Sequence, residues 1–298
     1  MATSTRKYLD PIFLSKLANM ELVARCAVEG FFSGLHPSPF QGFSVEYSDH
    51  REYHAGDEMK FLDWKIFARS DRLYIKRFQQ ETNTTIYILL DVSRSMAFAG
   101  EGSVAKIDYA SFLAAALSYL MLKQGDATGL VLFADRIVRQ VPPASRRTHM
   151  STILTALDRK TASGQTRLAS ILHTVAEVTK RRGLIVLISD LLDEGDLFQG
   201  LAHLKFLKHD VIVFHVMDHQ ELTLDYKGLI QFEDMESADK VRTFPQSIQP
   251  GYQERVAAFL SEVKTTLGNA GIDYCLLDTS LPLDRAFIAY LSKRRRMM

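Results

Sequence analysis

The sequence predicts an α/β fold: a mostly parallel central sheet with helices on both faces. Three observations carry this. The short continuous apolar runs Ile86–Leu90, Leu130–Phe133, Leu184–Ile188, Val211–Phe214 and Tyr274–Leu277 have the composition of strands covered on both faces. Segments with apolar residues at helical spacing separate several of them, and that alternation builds parallel sheets. Two runs end in acid, Ile86–Leu90 at Asp91 and Leu184–Ile188 at Ser189-Asp190, and the carboxyl ends of strands are where such sheets bind ligands.

Taken in order, the chain opens on a helix predicted over 10–33. Asp10 is placed to cap it, Pro11 suits its first position, and Gly34 with Pro37 stops it. Phe13, Leu17, Met20, Ala24, Ala27 and Phe31 recur at helical spacing, so one stripe must be buried. Phe43, Val45 and Tyr47 then alternate like a short strand. From Tyr53 to Glu81, aromatic and basic residues such as Trp64, Lys65, Arg69, Tyr74 and Phe78 are interleaved with Asp57, Glu58, Asp63 and Asp71. That mixture reads as a small mixed lobe rather than a nucleic-acid surface. The expected division is thus 1–83, a helix and lobe packed on the main domain, and 84–298, the α/β domain.

Within the main domain, Ile107–Leu122 is nearly all apolar, the mark of a buried helix, and Ile137–Val141 is a weaker, alternating strand. Leu168, Ile171, Leu172, Val175 and Thr179 form an amphipathic stripe, as do Tyr252, Val256, Phe259, Leu260, Val263 and Leu267. Leu229–Phe232 and Val241–Phe244 flank a polar turn, predicting a β-hairpin over about 229–244, inserted before the last helix.

The 298 residues are 47% hydrophobic and 24% charged with a formal net charge of +1, an ordinary globular balance with no bulk attraction to nucleic acid or membrane. Cys26 and Cys275 form neither a disulfide framework nor a Cys-x-x-Cys motif, which fits a reducing compartment. The first residues do not read as a signal peptide, and the longest apolar stretch, Ala110 to Leu122, is too short to span a bilayer. These features lead to the expectation of a soluble, cytoplasmic protein. The basic run Lys293-Arg294-Arg295-Arg296 reads as a solvated tail.

The chemistry concentrates at the two acidic strand ends. Asp91, Ser93 and Ser95 lie two apart, so in an extended stretch their side chains leave on one side and present only oxygen. Such a cluster suits a hard cation, and Mg²⁺ prefers these ligands with several waters retained. A phosphoaspartate site of the Asp-x-Asp type is excluded because Ser93 stands where the second carboxylate belongs. Neither serine has the Gly-x-Ser-x-Gly setting of a nucleophile elbow, and neither glycine-rich phosphate loop occurs. The plainer alternative is that Asp91 caps a helix while the serines decorate a loop. His50-Arg-Glu-Tyr-His54 has its glutamate at the wrong place for a zinc protease motif. His215 and His219 are four apart, a spacing that does not align two ligands where His215 belongs to a strand. Asp193, Glu194 and Asp196 either charge the rim of the site or form a solvated acidic loop.

Asp91-Val-Ser93-Arg-Ser95, then Ser163-Gly-Gln-Thr166-Arg-Leu168 at the head of a helix, then an apolar strand closing on Ser189-Asp190, resemble in order and setting the metal-ion-dependent adhesion site of von Willebrand factor A-type domains. The resemblance implies Ser93 and Ser95 as direct hydroxyl ligands of Mg²⁺ or Mn²⁺. Thr166 would bind directly or through water, and Asp91 and Asp190 would hold coordinating waters. A wider likeness, through Tyr53-His-Ala-Gly56-Asp57, Leu62-Asp63-Trp64-Lys65, Ala68-Arg69, Phe78 with Glu81-Thr82, and Phe232-Glu-Asp-Met-Glu236, is to the domain-of-unknown-function family number fifty-eight. Its members place a von Willebrand A-like domain behind an N-terminal lobe and are commonly encoded beside MoxR-type AAA+ ATPases; longer ones carry N-terminal membrane helices.

Two function classes follow. In the first the protein is a Mg²⁺-dependent binding module rather than an enzyme. The ion captures a Glu or Asp from a protein partner, a MoxR-type ATPase or its client, in the assembly or remodelling of complexes. In the second it is a Mg²⁺-dependent phosphohydrolase, against which stands the lack of an accompanying general base or phosphate-gripping glycine loop. Nucleic acid is not an expected partner.

Overall fold

The apolar runs of the second half fold as strands because each is bounded by glycine or polar residues and rich in Ile, Val and Leu. The computed structural model describes residues 84–298 except 147, 180–181, 194–196, 236–238 and 298; before them it describes Leu22, Ala24, Ala27, Val28, 50–52, Phe67, Arg69 and 73–76. The chain divides into two compact units, one of Met1–Gly34 with Thr84–Met298 and one of Leu35–Asn83. The expected boundary at 83/84 had instead grouped the first helix with the lobe. In the smaller unit, β1 (His50–Glu52) pairs antiparallel with β2 (Tyr74–Lys76). In the larger unit, Leu22, Ala24, Ala27 and Val28 are helical, and the last three are buried. The rest of the expected N-terminal stripe, the strand at Phe43–Tyr47, Trp64, Cys26 and His54 lie outside the described residues.

The larger unit runs β3 (Thr85–Asp91), α1 (Lys106–Lys123), β4 (Ala127–Phe133), β5 (Ile137–Ala144), α2 (His149–Asp158), α3 (Leu168–Val178), β6 (Leu184–Ser189), α4 (Leu197–Phe206), β7 (Asp210–Met217) and α5 (His219–Thr223). It continues with β8 (Ile230–Glu233), β9 (Lys240–Thr243), α6 (Pro245–Asn269), β10 (Asp273–Asp278) and α7 (Asp284–Met297). Six strands form one sheet in the order β10-β7-β6-β3-β4-β5, parallel except for β5. β5 carries Pro142 and Pro143, which lack the N–H of an interior ladder and are tolerated at the edge it occupies.

Leu89, Val131, Phe133, Ile185, Leu187, Val211 and Val213 build a core with residues of α3, α4 and α6. The alternate positions, Ile86, Ile88, Leu90, Val186, Ile188, Ile212 and Phe214, are equally buried, and α1 and α7 pack on these strands. Burial on both faces is why the strands read as continuous apolar runs. Each fully buried Leu, Ile or Phe contributes about 1.5–3 kcal/mol. Gly183 leads into β6 where a Cβ would stand 2.3 Å from the Thr85 carbonyl oxygen, so only glycine lets β6 join β3 there.

The topology determines where a ligand would sit. From β3 the chain moves to β4 on one side, and after β5 it returns to β6 on the other. The carboxyl ends of β3 and β6 therefore flank the point where strand order reverses, the usual ligand crevice of an open α/β sheet.

Two expectations need correcting. The hairpin β8–β9 forms as predicted but precedes the penultimate helix, because the basic C-terminal run belongs to a helix, α7. Nor is that run wholly solvated. Lys293 is buried, with Nζ 3.0 Å from Asp273 Oδ2 and 3.4 Å from Asp210 Oδ1, and Arg296 lies 2.7 Å from Asp273. Asp210 and Asp273 begin the neighbouring parallel strands β7 and β10, so α7 ties their amino ends together. Lys293→Met leaves two largely buried carboxylates without that partner and is expected to cost about 2–4 kcal/mol; a urea midpoint equal to wild type would show the clamp to be idle.

Candidate metal site

Asp91, the last residue of β3, is fully buried, and both of its carboxylate oxygens are engaged. Oδ1 accepts the Ser93 backbone N–H at 2.9 Å, and Oδ2 accepts the Ser189 hydroxyl, from the end of β6, at 2.6 Å. That second bond crosses the switch point and ties the two acidic strand ends together. Beyond Asp91 the chain leaves the sheet and a 3₁₀ turn begins at Ser95. The turn brings Ser93 Oγ and Ser95 Oγ to 3.0 Å from each other. Two adjacent ligands of an octahedral Mg²⁺ at about 2.1 Å stand about 3 Å apart, so the hydroxyl pair has the spacing of one edge of that shell.

Thr166 is buried on the segment before α3. Backbone bonds join that segment to the other loops: Ser163 N–H to Val92 O at 2.9 Å, Arg94 N–H to Gly164 O at 3.1 Å, and Arg167 N–H to Ala134 O at 3.3 Å. Gly164 makes the turn with φ +79°. Asp193 completes the assembly, its Oδ2 accepting the Leu168 N–H at 2.7 Å and so satisfying a free donor at the head of α3. This carboxylate, left open between rim charge and solvated loop, is a helix cap contributed from the β6 side. Glu194 and Asp196 lie outside the described residues. Of the five expected positions, Asp91 ends β3, and Ser93, Ser95, Thr166 and Asp190 fall on loops at the same end of the sheet.

Asp190 has a partner the sequence reading missed. Its Oδ1 accepts the Leu192 N–H at 3.2 Å, and its Oδ2 receives Lys106 Nζ at 2.8 Å. Lys106 is wholly buried in the first turn of α1, and the same Nζ lies 2.7 Å from Glu221 Oε1. Burial alone would lower its pKa, but Asp190 and Glu221 outweigh that and hold it above the ordinary value. The clue in the sequence is a lysine in the first turn of a largely apolar helix, the end where the helix dipole disfavours a cation.

Burial, reinforced by the charge of Asp190, pushes Asp91 from its ordinary 3.8 up to about 7, against the lowering pull of its bonds to Ser189 and Ser93. A carboxylate so placed gains from a cation beside it. Leu191, directly after Asp190, is a buried non-glycine residue at φ +56°, local backbone strain of the kind that clusters at functional sites. A cleft of about 540 Å³ opens over the site, lined in part by Ser95, Phe98, Leu191, Leu192, Glu221 and Phe259. Among the described residues no group of three or more His, Cys, Asp or Glu side chains could hold a metal ion.

The histidines behave as core and loop residues. His215 Nδ1 lies 2.8 Å from Tyr274 Oη, whereas His219 pairs with Asp278 at 2.8 Å. Burial lowers His215 to about 4. The folded protein therefore binds this proton less tightly than the unfolded chain, and stability contributed by neutral His215 is lost as pH falls from about 6.5 through about 4. His215→Phe should make the urea midpoint less sensitive to acid over that interval, and unchanged sensitivity would refute the assignment.

A family profile described as protein of unknown function DUF58 matches residues 49–259. Uncharacterized proteins of Mycobacterium tuberculosis and Mycobacterium bovis are each 26% identical over 294 residues, 96% of this chain and 91% of theirs. Among solved structures, an aerotolerance-related membrane protein of Bacteroides fragilis is similar over 72% of this chain and 99% of its own, at 17% identity and a TM-score of 0.48. A von Willebrand factor type A protein of Catenulispora acidiphila is similar over 48% and 34%, at 15% identity and a TM-score of 0.32. An uncharacterized membrane spanning protein of Vibrio fischeri is similar over 70% and 96%, at 16% identity and a TM-score of 0.25. Such likenesses concern the fold alone, and the helix-flanked, mostly parallel sheet is the von Willebrand A-like, Rossmann-type arrangement. They also correct the cytoplasmic expectation, since two of these proteins are named as membrane proteins. Among the described residues no helix is long and apolar enough to cross a membrane. That observation concerns spans and assigns no compartment.

Proposed function

Since the chain belongs to the DUF58 family of proteins of unknown function, we propose that it is a metal-dependent protein-binding module whose site takes Mg²⁺ or Mn²⁺ and receives a carboxylate from a partner. The observation that carries this reading is the 3.0 Å pairing of the Ser93 and Ser95 hydroxyls beside buried Asp91 at the switch point of the sheet. Ser93 and Ser95 would be direct ligands, Thr166 a direct or water-bridged one, and Asp91 and Asp190 holders of coordinating water. The bound ion would supply a positively charged centre with a position open to an incoming Glu or Asp. Ser95 and Glu221 line the cleft above, the route by which such a side chain would arrive. By family resemblance the partner is a MoxR-type AAA+ ATPase or a client that the pair assembles or remodels.

The protein acts here by binding, not by turnover. Calorimetry should find one Mn²⁺ or Mg²⁺ site of modest affinity, and Ser93→Ala with Ser95→Ala should weaken it by about 100-fold or more through loss of both direct ligands. Pull-downs should recover a partner with Mg²⁺ and lose it with EDTA or with the double variant. Capture that survives both would leave any metal only a structural role. Phosphatase turnover that needs Mg²⁺ and disappears in Asp91→Asn would replace this reading with a phosphohydrolase.

A further inference from the structure

Lys106 is where the site departs from a simple oxygen cage. Its ammonium is fully buried, bonded to Asp190 and Glu221 at 2.8 and 2.7 Å, with the Phe98 ring centroid 5.9 Å away. Glu221 is itself fixed, since its other oxygen accepts the Asp218 N–H at 2.9 Å at the head of α5. The cation is therefore built in, held from β6, α1 and α5 together. One ammonium is thus shared by Asp190 and Glu221, while Asp91 is bonded to Ser93 and Ser189 instead. On the β6 side the ammonium stands in direct contact with Asp190.

We propose that Lys106 is a positioning residue that offsets the charge of Asp190, so that a divalent cation held at Ser93, Ser95 and Asp91 binds weakly alone and more strongly together with an incoming carboxylate. This rests on the metal-dependent reading given above and adds the order of events to it. In the free protein Lys106 repels the cation and weakens its binding. A partner's Glu or Asp brings its negative charge directly against the ion through the cleft, so metal and acidic partner strengthen each other reciprocally. The protein would then hold its metal tightly only in the complex.

Titration of the full-length protein with Mn²⁺ alone, and with Mn²⁺ in the presence of acetate as the carboxylate, tests this. In the wild type, acetate should tighten Mn²⁺ binding. Lys106→Met should bind Mn²⁺ alone about tenfold tighter or more, because a buried unit charge is removed, and should lose most of the acetate effect. Glu221→Gln keeps an acceptor for the Asp218 N–H and leaves Lys106 to Asp190, so it should bind Mn²⁺ alone more weakly. A merely structural lysine predicts weaker binding in both variants, and that shared direction would overturn the proposal. If Lys106→Met does not fold, Lys106→Gln, which removes the charge but can still donate to a carboxylate, takes its place: tighter Mn²⁺ binding with a smaller acetate effect supports the proposal, and weaker binding overturns it. Wild-type protein that binds no Mn²⁺ with or without acetate would overturn the site reading itself and this inference with it.

Discussion

Asp91→Ala is expected to abolish measurable Mg²⁺ binding while the sheet stays folded. Unlike Asp190, Asp91 has no lysine beside it among the described residues, and it orients the loop that carries both serine hydroxyls through its bond to the Ser93 N–H. Its loss removes both the charge that attracts the ion and the constraint that positions the ligands, and the affinity should fall by about 100-fold or more. Stability should change little. The variant strands the Ser93 N–H and the Ser189 hydroxyl, but it also relieves a buried carboxylate whose ionisation is disfavoured up to about pH 7. Calorimetry paired with thermal melts in EDTA separates the two effects. Binding retained in a folded Asp91→Ala protein would move the metal elsewhere.

Much of the architecture was legible because the physics is local. Runs such as Leu184–Ile188 and Val211–Phe214 are typical of strands covered on both faces, and the sheet places both in its interior. The nearness of Ser93 and Ser95 follows from their spacing after a strand end, but the extended stretch expected there is instead a bend leading into a 3₁₀ turn. What escaped were features decided by tertiary partners. α4 contains Gly200, a poor helix former, yet that glycine lets the helix approach Leu172, whose Cβ would stand 2.9 Å from an added Cβ. α7 looked like a solvated basic tail because Asp210 and Asp273 lie far away in sequence. The position of Lys106 early in a largely apolar helix hints at a role, but its partners Asp190 and Glu221 lie 84 and 115 residues onward and only the fold identifies them. His54 and Trp64, weighed in the sequence, lie outside the described residues.

A chain beginning at Thr84 is expected to aggregate or to melt far below the full-length protein, although it retains every strand of the six-stranded sheet. The reason is the unit to which the first residues belong. Met1–Gly34 groups with Thr84–Met298, and within it Ala24, Ala27 and Val28 are helical and no more than 1% exposed. Their spacing is that of one helical stripe, and Leu22, 44% exposed, falls off it. Two alanines and a valine buried so completely mean close contact on that side, so removing the helix uncovers surface that is now dry. Uncovered apolar surface costs about 25 cal/mol per Å², and an exposed patch of a few hundred Å² commonly drives association. Light scattering and thermal melts of the Thr84–Met298 protein against the full chain provide the measurement. A monomer with an unchanged melting temperature would show that the first helix contributes nothing to the fold. The milder change Ala27→Asp tests the same contact without truncation: an unpaired charge buried there should cost several kcal/mol, on the order of a whole domain's margin of stability.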